Sequence, residues 1–129
     1  MKSLLVFVLL FVLLTSCQRQ PAYTDNGKPG QIKAVVFYDD NHNGVIDGDE
    51  TGAQVEVGIS QDISCPPSSM DKITSVNADA DGAALFIDLA PGKYCVTPIG
   101  DYGRTTKITR EIYVSSDATT TVVFGIVRE

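Results

Sequence analysis

Residues 39–50 carry oxygen-bearing side chains at alternate positions of a twelve-residue segment. Asp39, Asn41 and Asn43 stand at its positions 1, 3 and 5, and Gly44 at position 6 permits a sharp turn. The remaining predicted ligands are the backbone carbonyl of Val45 at position 7, the Asp47 carboxylate at position 9 and the Glu50 carboxylate at position 12. This spacing is typical of the EF-hand calcium loop, in which oxygens converge on one ion. We therefore expect these six residues to bind Ca²⁺.

The chemistry of these ligands distinguishes calcium from other common metal ions. An all-oxygen set disfavours zinc, and the loop supplies more ligands than magnesium usually takes from a protein. The alternative is an ordinary polar turn, since turns favour Asp and Asn, but Glu50 at position 12 completes the calcium spacing. Strands rather than helices are predicted on both sides of the loop, which indicates a structural ion rather than a sensor. Asp79 and Asp81 leave two alternatives open, a second calcium site or a type I turn.

The N-terminal residues have the pattern of an export signal. Lys2 precedes an uninterrupted apolar run at residues 4–14, which is shorter than the ~20 residues of a spanning helix. The run leads into residues 14–17 (LTSC), which resemble a bacterial lipobox. That resemblance implies cleavage before Cys17 and acylation of Cys17, so that lipid holds the protein on a membrane. The alternative is an ordinary signal peptide with a chance cysteine.

The chain is therefore expected to have three parts. Residues 1–16 form the signal peptide, residues 17–30 the lipidated cysteine with a flexible polar tether, and residues 31–129 one folded domain. The predicted location is the cell envelope, with the exported domain facing the periplasm or the exterior. Gln18 stands where some inner-membrane lipoproteins have aspartate, so in a cell with two membranes we expect the outer one.

Composition excludes two classes of function. With 10 basic against 16 acidic side chains and a net charge of −6, the chain has no visible basic face for nucleic acid. The sole histidine, His42, lies at loop position 4, and no motif places a nucleophile, so we expect no enzyme.

The cysteine count indicates one disulfide. If lipid occupies Cys17, Cys65 and Cys95 remain to form a disulfide in an oxidising compartment. The alternative for that pair is two buried thiols.

Beyond the tether, short apolar-rich runs alternate with turn residues. Residues 32–38 are β-branched and aromatic, and residues 54–60 alternate, with Val55, Val57 and Ile59 predicted to face inward. Five further strands are predicted at residues 73–78, 83–88, 93–98, 107–114 and 119–127. Seven short strands at roughly ten-residue spacing predict an all-β, antiparallel sandwich, with the calcium loop between its first two strands.

Five blocks between residues 31 and 98 share their order and spacing with one family: residues 36–39 (VFYD), 47–52 (DGDETG), 55–57 (VEV), 79–82 (DADG) and 86–94 (FIDLAPGKY). They resemble the B-repeat domain of the serine–aspartate repeat surface adhesins, which is related to the collagen-adhesin B-type and prealbumin-like sandwiches. The resemblance implies an Ig-like or prealbumin-like sandwich stiffened by calcium. It also implies a stalk or ligand-presenting role on a cell surface.

The expected function is a non-enzymatic envelope module with a structural, adhesive or ligand-binding role. Its expected partners are the membrane, through lipid on Cys17, and a surface protein or glycan. The alternative is an accessory lipoprotein that binds glycan or peptide. In that case Tyr102, Tyr113 and the loop at residues 100–104 would supply an aromatic face.

Overall fold

The computed structural model describes residues 23–62, 64–107 and 109–128, and within them seven β-strands form two facing sheets. The strands are β1 (Gly30–Tyr38), β2 (Glu56–Ser60), β3 (Thr74–Asn77), β4 (Ala83–Leu89), β5 (Gly92–Ile99), β6 (Arg110–Val114) and β7 (Thr119–Ile126). Every predicted strand overlaps an observed one, so the all-β, seven-strand prediction is confirmed. Within these ranges no helix has the length and hydropathy of a membrane span. The predicted signal peptide and Cys17 lie outside the described residues.

The prediction of a wholly antiparallel sandwich is wrong for one sheet. Its strand order is β4-β1-β7, and β1 pairs with β7 in parallel, from Gln31 opposite Thr119 to Tyr38 opposite Ile126. The other sheet, β3-β2-β5-β6, is antiparallel throughout. Parallel neighbours need a long connection, and here the entire chain between β1 and β7 provides it. Side-chain alternation identifies strands but not their neighbours, so the sequence pattern did not show this pairing.

The core lies between the two sheets. Along β1, Ile32, Ala34 and Val36 point inward and are fully buried, as the period-two pattern requires. The inward residues of the facing sheet include Val57, Ile59, Tyr94, Val96 and Val114. Val55, Val57 and Ile59 are all buried, which confirms the predicted inward face of the second strand. Burial of these side chains contributes about 25 cal/mol for each Å² of apolar surface removed from water.

The two ends of the sandwich are built differently. One end, which we call the docked end because an N-terminal segment binds there, contains the start of β1, the turn between β4 and β5, and the turn at residues 115–118 between β6 and β7. The loop end, where β1 finishes, contains residues 39–50, the turn at residues 79–82 and the segment at residues 100–106.

Residues 23–29, the last part of the predicted tether, are bound to the docked end. The backbone N–H of Thr24 donates to Ser115 Oγ (3.1 Å), and that of Asn26 donates to Ser116 Oγ (3.0 Å). The Ser116 N–H in turn donates to the Thr24 carbonyl (2.8 Å). The Tyr23 ring meets the Tyr113 ring edge-on, with 6.0 Å between their centroids. We call residues 23–29 the docked segment.

The predicted disulfide is present. Cys65 and Cys95 are bonded, with their Cα atoms 5.5 Å apart, within the usual range for such a bond. The bond ties the long connection between β2 and β3 to the middle of β5. Because the two cysteines are 30 residues apart, the bond removes considerable freedom from the unfolded chain.

Replacing both Cys65 and Cys95 by alanine should lower the free energy of unfolding by about 3–4 kcal/mol, the chain-entropy value for a loop of this length. Urea unfolding followed by circular dichroism measures the change. The unaltered protein unfolded in the presence of a reductant serves as the control and should behave like the double variant. A midpoint that is the same with and without the bond would contradict the prediction.

Candidate metal centre

The two ends of the loop at residues 39–50 are held by backbone hydrogen bonds. The Asp39 N–H donates to the Ile126 carbonyl (2.9 Å), which extends the pairing of β1 with β7 by one residue. On the exit side, the Tyr38 N–H donates to the Thr51 carbonyl (2.9 Å), and the Ala53 N–H donates to the Val36 carbonyl (2.9 Å). The loop therefore leaves and returns beside the same strand, as a site built on a rigid element requires.

The first half of the loop wraps around the Asp39 carboxylate. One oxygen accepts the Asn43 N–H (3.1 Å) and the other accepts the Gly44 N–H (2.7 Å). Two Asx turns continue the wrap, because Asn41 Oδ1 accepts the Asn43 N–H (3.0 Å) and Asn43 Oδ1 accepts the Val45 N–H (2.8 Å). Gly44 has a φ of 76°, the left-handed conformation that glycine adopts without strain.

The second half of the loop closes on the first through Asp47 and Glu50. Asp47 Oδ2 accepts the side-chain amides of Asn41 (2.5 Å) and Asn43 (2.7 Å). Glu50 Oε2 accepts the Asp47 N–H (2.9 Å). The other Glu50 oxygen, Oε1, is buried and has no hydrogen-bond partner among the described residues. A buried carboxylate oxygen without a partner is unfavourable unless a donor or cation meets it.

Asp39 is ionised at neutral pH although its side chain is fully buried. Burial raises the pKa of its carboxyl, but the adjacent Thr105 side chain and the hydrogen bonds from the Gly44 and Asn43 N–H groups lower it. The charge of His42 lowers the pKa of Asp39 further, and the net result is a pKa below the ordinary aspartate value. An anionic oxygen therefore lies at the end of the central strand of the mixed sheet.

The structure brings the five predicted side-chain ligands, Asp39, Asn41, Asn43, Asp47 and Glu50, into one hydrogen-bonded loop. The Val45 side chain is 60% exposed, in keeping with a predicted role for its backbone carbonyl alone. No three His, Cys, Asp or Glu side chains converge as a metal cluster within the described ranges. The carboxylates instead accept N–H groups, so an ion would replace some of these bonds. The residues fit Ca²⁺ in chemistry, number and order.

The sequence did not predict that the segment containing Thr105 and Thr106 lies against Asp39 and Gly125. The Thr105 N–H donates to the Gly125 carbonyl (3.1 Å), and the Gly125 N–H donates to Thr106 Oγ1 (3.1 Å). A Cβ at position 125 would lie 2.3 Å from Thr105 Oγ1 and 3.2 Å from Asp39 Oδ2. One signal was available, since a glycine inside a β-branched strand often marks a close backbone approach.

Arg128, the last described residue, was also missed. Its guanidinium carbon lies 4.3 Å from the centre of the Tyr38 ring, and its Nε is 3.1 Å from Asp40 Oδ1. Its Nη2 donates to Thr51 Oγ1 (2.8 Å). One side chain thus contacts both the entry and the exit of the loop. These contacts are partly exposed, so each stabilises by about 1 kcal/mol or less.

The other candidate sites do not form comparable centres. Asp79 Oδ1 accepts the N–H groups of Asp81 (2.9 Å) and Ala83 (3.0 Å), which is the hydrogen bonding of the turn alternative. Tyr102 follows the end of β5, whereas Tyr113 pairs with Lys93 near the beginning of β5. The two rings therefore lie at opposite ends of the sandwich and do not form one aromatic face. Cys17 lies outside the described residues.

No protein-family model and no curated protein matches this sequence. Solved structures of three pilins are similar in fold. The minor pilin of Streptococcus agalactiae has a TM-score of 0.55 and 15% identity, covering 79% of this chain and 45% of that one. The shaft pilin of Lactobacillus rhamnosus GG has a TM-score of 0.57 and 11% identity, covering 79% and 52%. The major pilin of Corynebacterium diphtheriae has a TM-score of 0.56 and 13% identity, covering 84% and 34%.

At these identities the likeness concerns the fold alone. The chain spans about half or less of the length of the three pilins. The Ig-like, prealbumin-like sandwich expected from the resemblance is thus confirmed at the level of the fold.

Gly125→Ala should lower the free energy of unfolding by about 1–3 kcal/mol, because the new methyl group overpacks the space between Thr105 and Asp39. The matched control is Gly48→Ala, since a Cβ at position 48 meets no atom within 4 Å. The control should change stability by less than about 0.5 kcal/mol. Urea unfolding without divalent cations measures both, and equal stability of the two variants would refute the close approach at Gly125.

Proposed function

We propose that this chain is a lipid-anchored envelope lipoprotein whose β-sandwich is stabilised by calcium and serves a structural, adhesive or ligand-presenting role at the cell surface. The loop at residues 39–50 is the observation that carries the proposal. Its oxygens follow calcium spacing, its Asp39 is buried and ionised, and its Glu50 Oε1 is buried without a partner among the described residues.

Calcium would join the two sheets near the loop end. The six predicted ligands would hold the ion, and the ion would neutralise three carboxylates that otherwise repel one another. Asp39 extends the pairing of β1 with β7, while the chain that leaves Glu50 runs through Ala53 into β2 of the other sheet. Binding at this loop would therefore oppose separation of the sheets.

The surface role is supported by the fold shared with pilin domains and by the resemblance of five sequence blocks to adhesin B-repeats. The non-enzymatic role is supported by His42, which is exposed on the loop and lies outside any motif with a nucleophile. The alternative glycan-binding role loses its proposed site, because Tyr102 and Tyr113 lie at opposite ends of the sandwich.

Calcium at 1 mM should stabilise the purified protein by about 0.4–1.4 kcal/mol, if the dissociation constant is ~10⁻³–10⁻⁴ M as in extracellular modules. Thermal or urea unfolding with calcium and with chelator measures the difference. Glu50→Gln and Asp39→Ala should abolish it, since each removes an anionic ligand. Asp49→Asn at loop position 11 removes the same charge from a residue that is not a predicted ligand, and should retain it. Equal calcium stabilisation of Glu50→Gln and the parent would refute this site.

Cys17→Ser should abolish incorporation of radiolabelled palmitate when the chain is expressed in a bacterium with lipoprotein processing, because the acylated thiol is lost. The double variant Cys65→Ser, Cys95→Ser is the matched control and should keep the label. Gel autoradiography and detergent-phase partitioning measure the outcome. Label on the Cys17→Ser protein would contradict the proposed anchor.

A further inference from the structure

The docked segment gives the sandwich a defined point of attachment. From Tyr23 to Pro29 it runs along the turn at residues 115–118, held by the bonds to Ser115 and Ser116 and by the Asp117 N–H, which donates to the Pro29 carbonyl (3.0 Å). Lys28 Nζ lies 3.6 Å from Asp117 Oδ2. The chain N-terminal to Tyr23 therefore leaves the domain at the docked end.

The charge of the molecule is concentrated at the opposite end. Eight of the 16 acidic residues of the chain belong to the loop end: Asp39, Asp40, Asp47, Asp49, Glu50, Asp79, Asp81 and Asp101. Fewer basic residues accompany them: Arg104 and Lys107 follow Asp101 in the chain, and Arg128 pairs with Asp40. Even with one Ca²⁺ bound, this end remains anionic. Bacterial membranes with anionic headgroups repel such a surface within about one Debye length.

We infer that the anchored protein stands on the membrane by its docked end and presents the calcium loop at the end farthest from the lipid. This inference rests on the proposed acylation of Cys17. The partner of the docked end is then the lipid surface itself, and the loop end is the surface available to other molecules.

Chain dimensions set the scale of this arrangement. Five residues separate Cys17 from Tyr23, so the two Cα atoms can be at most about 20–22 Å apart. Strand β1 has nine residues and, at ~3.3 Å per residue, separates the two ends by about 26 Å. The side chain of Ile46, which is 46% exposed, belongs to the loop at the opposite end from the docked segment. The average distance to the membrane should therefore be larger for Ile46 than for Tyr23.

The chain contains no tryptophan, so single-tryptophan variants report on one position each. Tyr23→Trp keeps an aromatic ring in a position that is 47% exposed, and Ile46→Trp changes a residue that is not a predicted ligand. The acylated full chain is reconstituted into phosphatidylcholine vesicles that contain a dansyl-labelled headgroup lipid. Energy transfer from tryptophan to dansyl should be several-fold greater for Tyr23→Trp than for Ile46→Trp.

Two further measurements test what causes this orientation, namely the charge of the loop end and the docked segment. Replacing part of the phosphatidylcholine by phosphatidylglycerol should reduce transfer from Ile46→Trp, and high salt should restore it. Adding Ser115→Ala and Ser116→Ala to each probe variant should shrink the difference between them, because loss of both hydroxyl acceptors weakens the attachment of the docked segment and lets the tether lengthen. Ser64→Ala with Ser68→Ala removes two hydroxyls elsewhere and should leave the difference unchanged. Circular dichroism verifies that each variant is folded.

The outcomes separate the inference from the proposal on which it rests. If the protein does not float with vesicles, the lipid anchor is refuted and the orientation falls with it. If the protein floats and both probes transfer energy equally, the anchor stands and the orientation is overturned. If the two serine changes leave the difference between the probes unaltered, the docked segment does not set the orientation and the inference is overturned in that respect.

Discussion

The parallel pairing of β1 with β7 determines the positions of everything else. It places β1 at the centre of the mixed sheet, flanked by β4 and β7, with its inward residues fully buried. It also fixes both ends of β1. Strand β1 begins at Gly30, beside the turn that holds the docked segment. At its other end, Asp39 extends the pairing with β7 to Ile126. The loop is thus a continuation of the central strand of the mixed sheet rather than an appendage on the surface.

A buried carboxylate at the end of that strand imposes the second constraint. Transferring a charge from water is unfavourable unless hydrogen bonds or a cation compensate it. Asp39 meets the requirement with hydrogen bonds from two backbone N–H groups, which together with the adjacent Thr105 side chain keep its pKa low. Those bonds pull the loop into its turn, which also draws Asn41 and Asn43 toward Asp47. The same geometry that compensates the buried charge of Asp39 therefore brings the oxygens of the proposed calcium site together.

Local patterns in the sequence predicted the features that depend on neighbouring residues. The strands follow from alternation, and the shape of the loop follows from Asx and glycine positions within residues 39–50. Long-range contacts escaped prediction, because nothing local specifies that β7 lies beside β1, or that Thr105 and Arg128 reach the loop across more than sixty residues. The disulfide is the one long-range contact that was predicted, because with Cys17 assigned to lipid only Cys65 and Cys95 remained to pair.

Under the proposed surface role, the direction of β1 has a mechanical consequence. A force between the lipid and a molecule held at the loop end would run along β1, from the docked segment to Asp39. The covalent backbone of β1 would carry that force directly, and the hydrogen bonds of β1 to β4 and β7, which lie across that direction, would hold the strand in place. Opening the loop end would instead separate bonds one at a time, beginning with those of Tyr38 and Ala53. A calcium ion in the loop would reinforce the fold at that end, where sequential opening would begin.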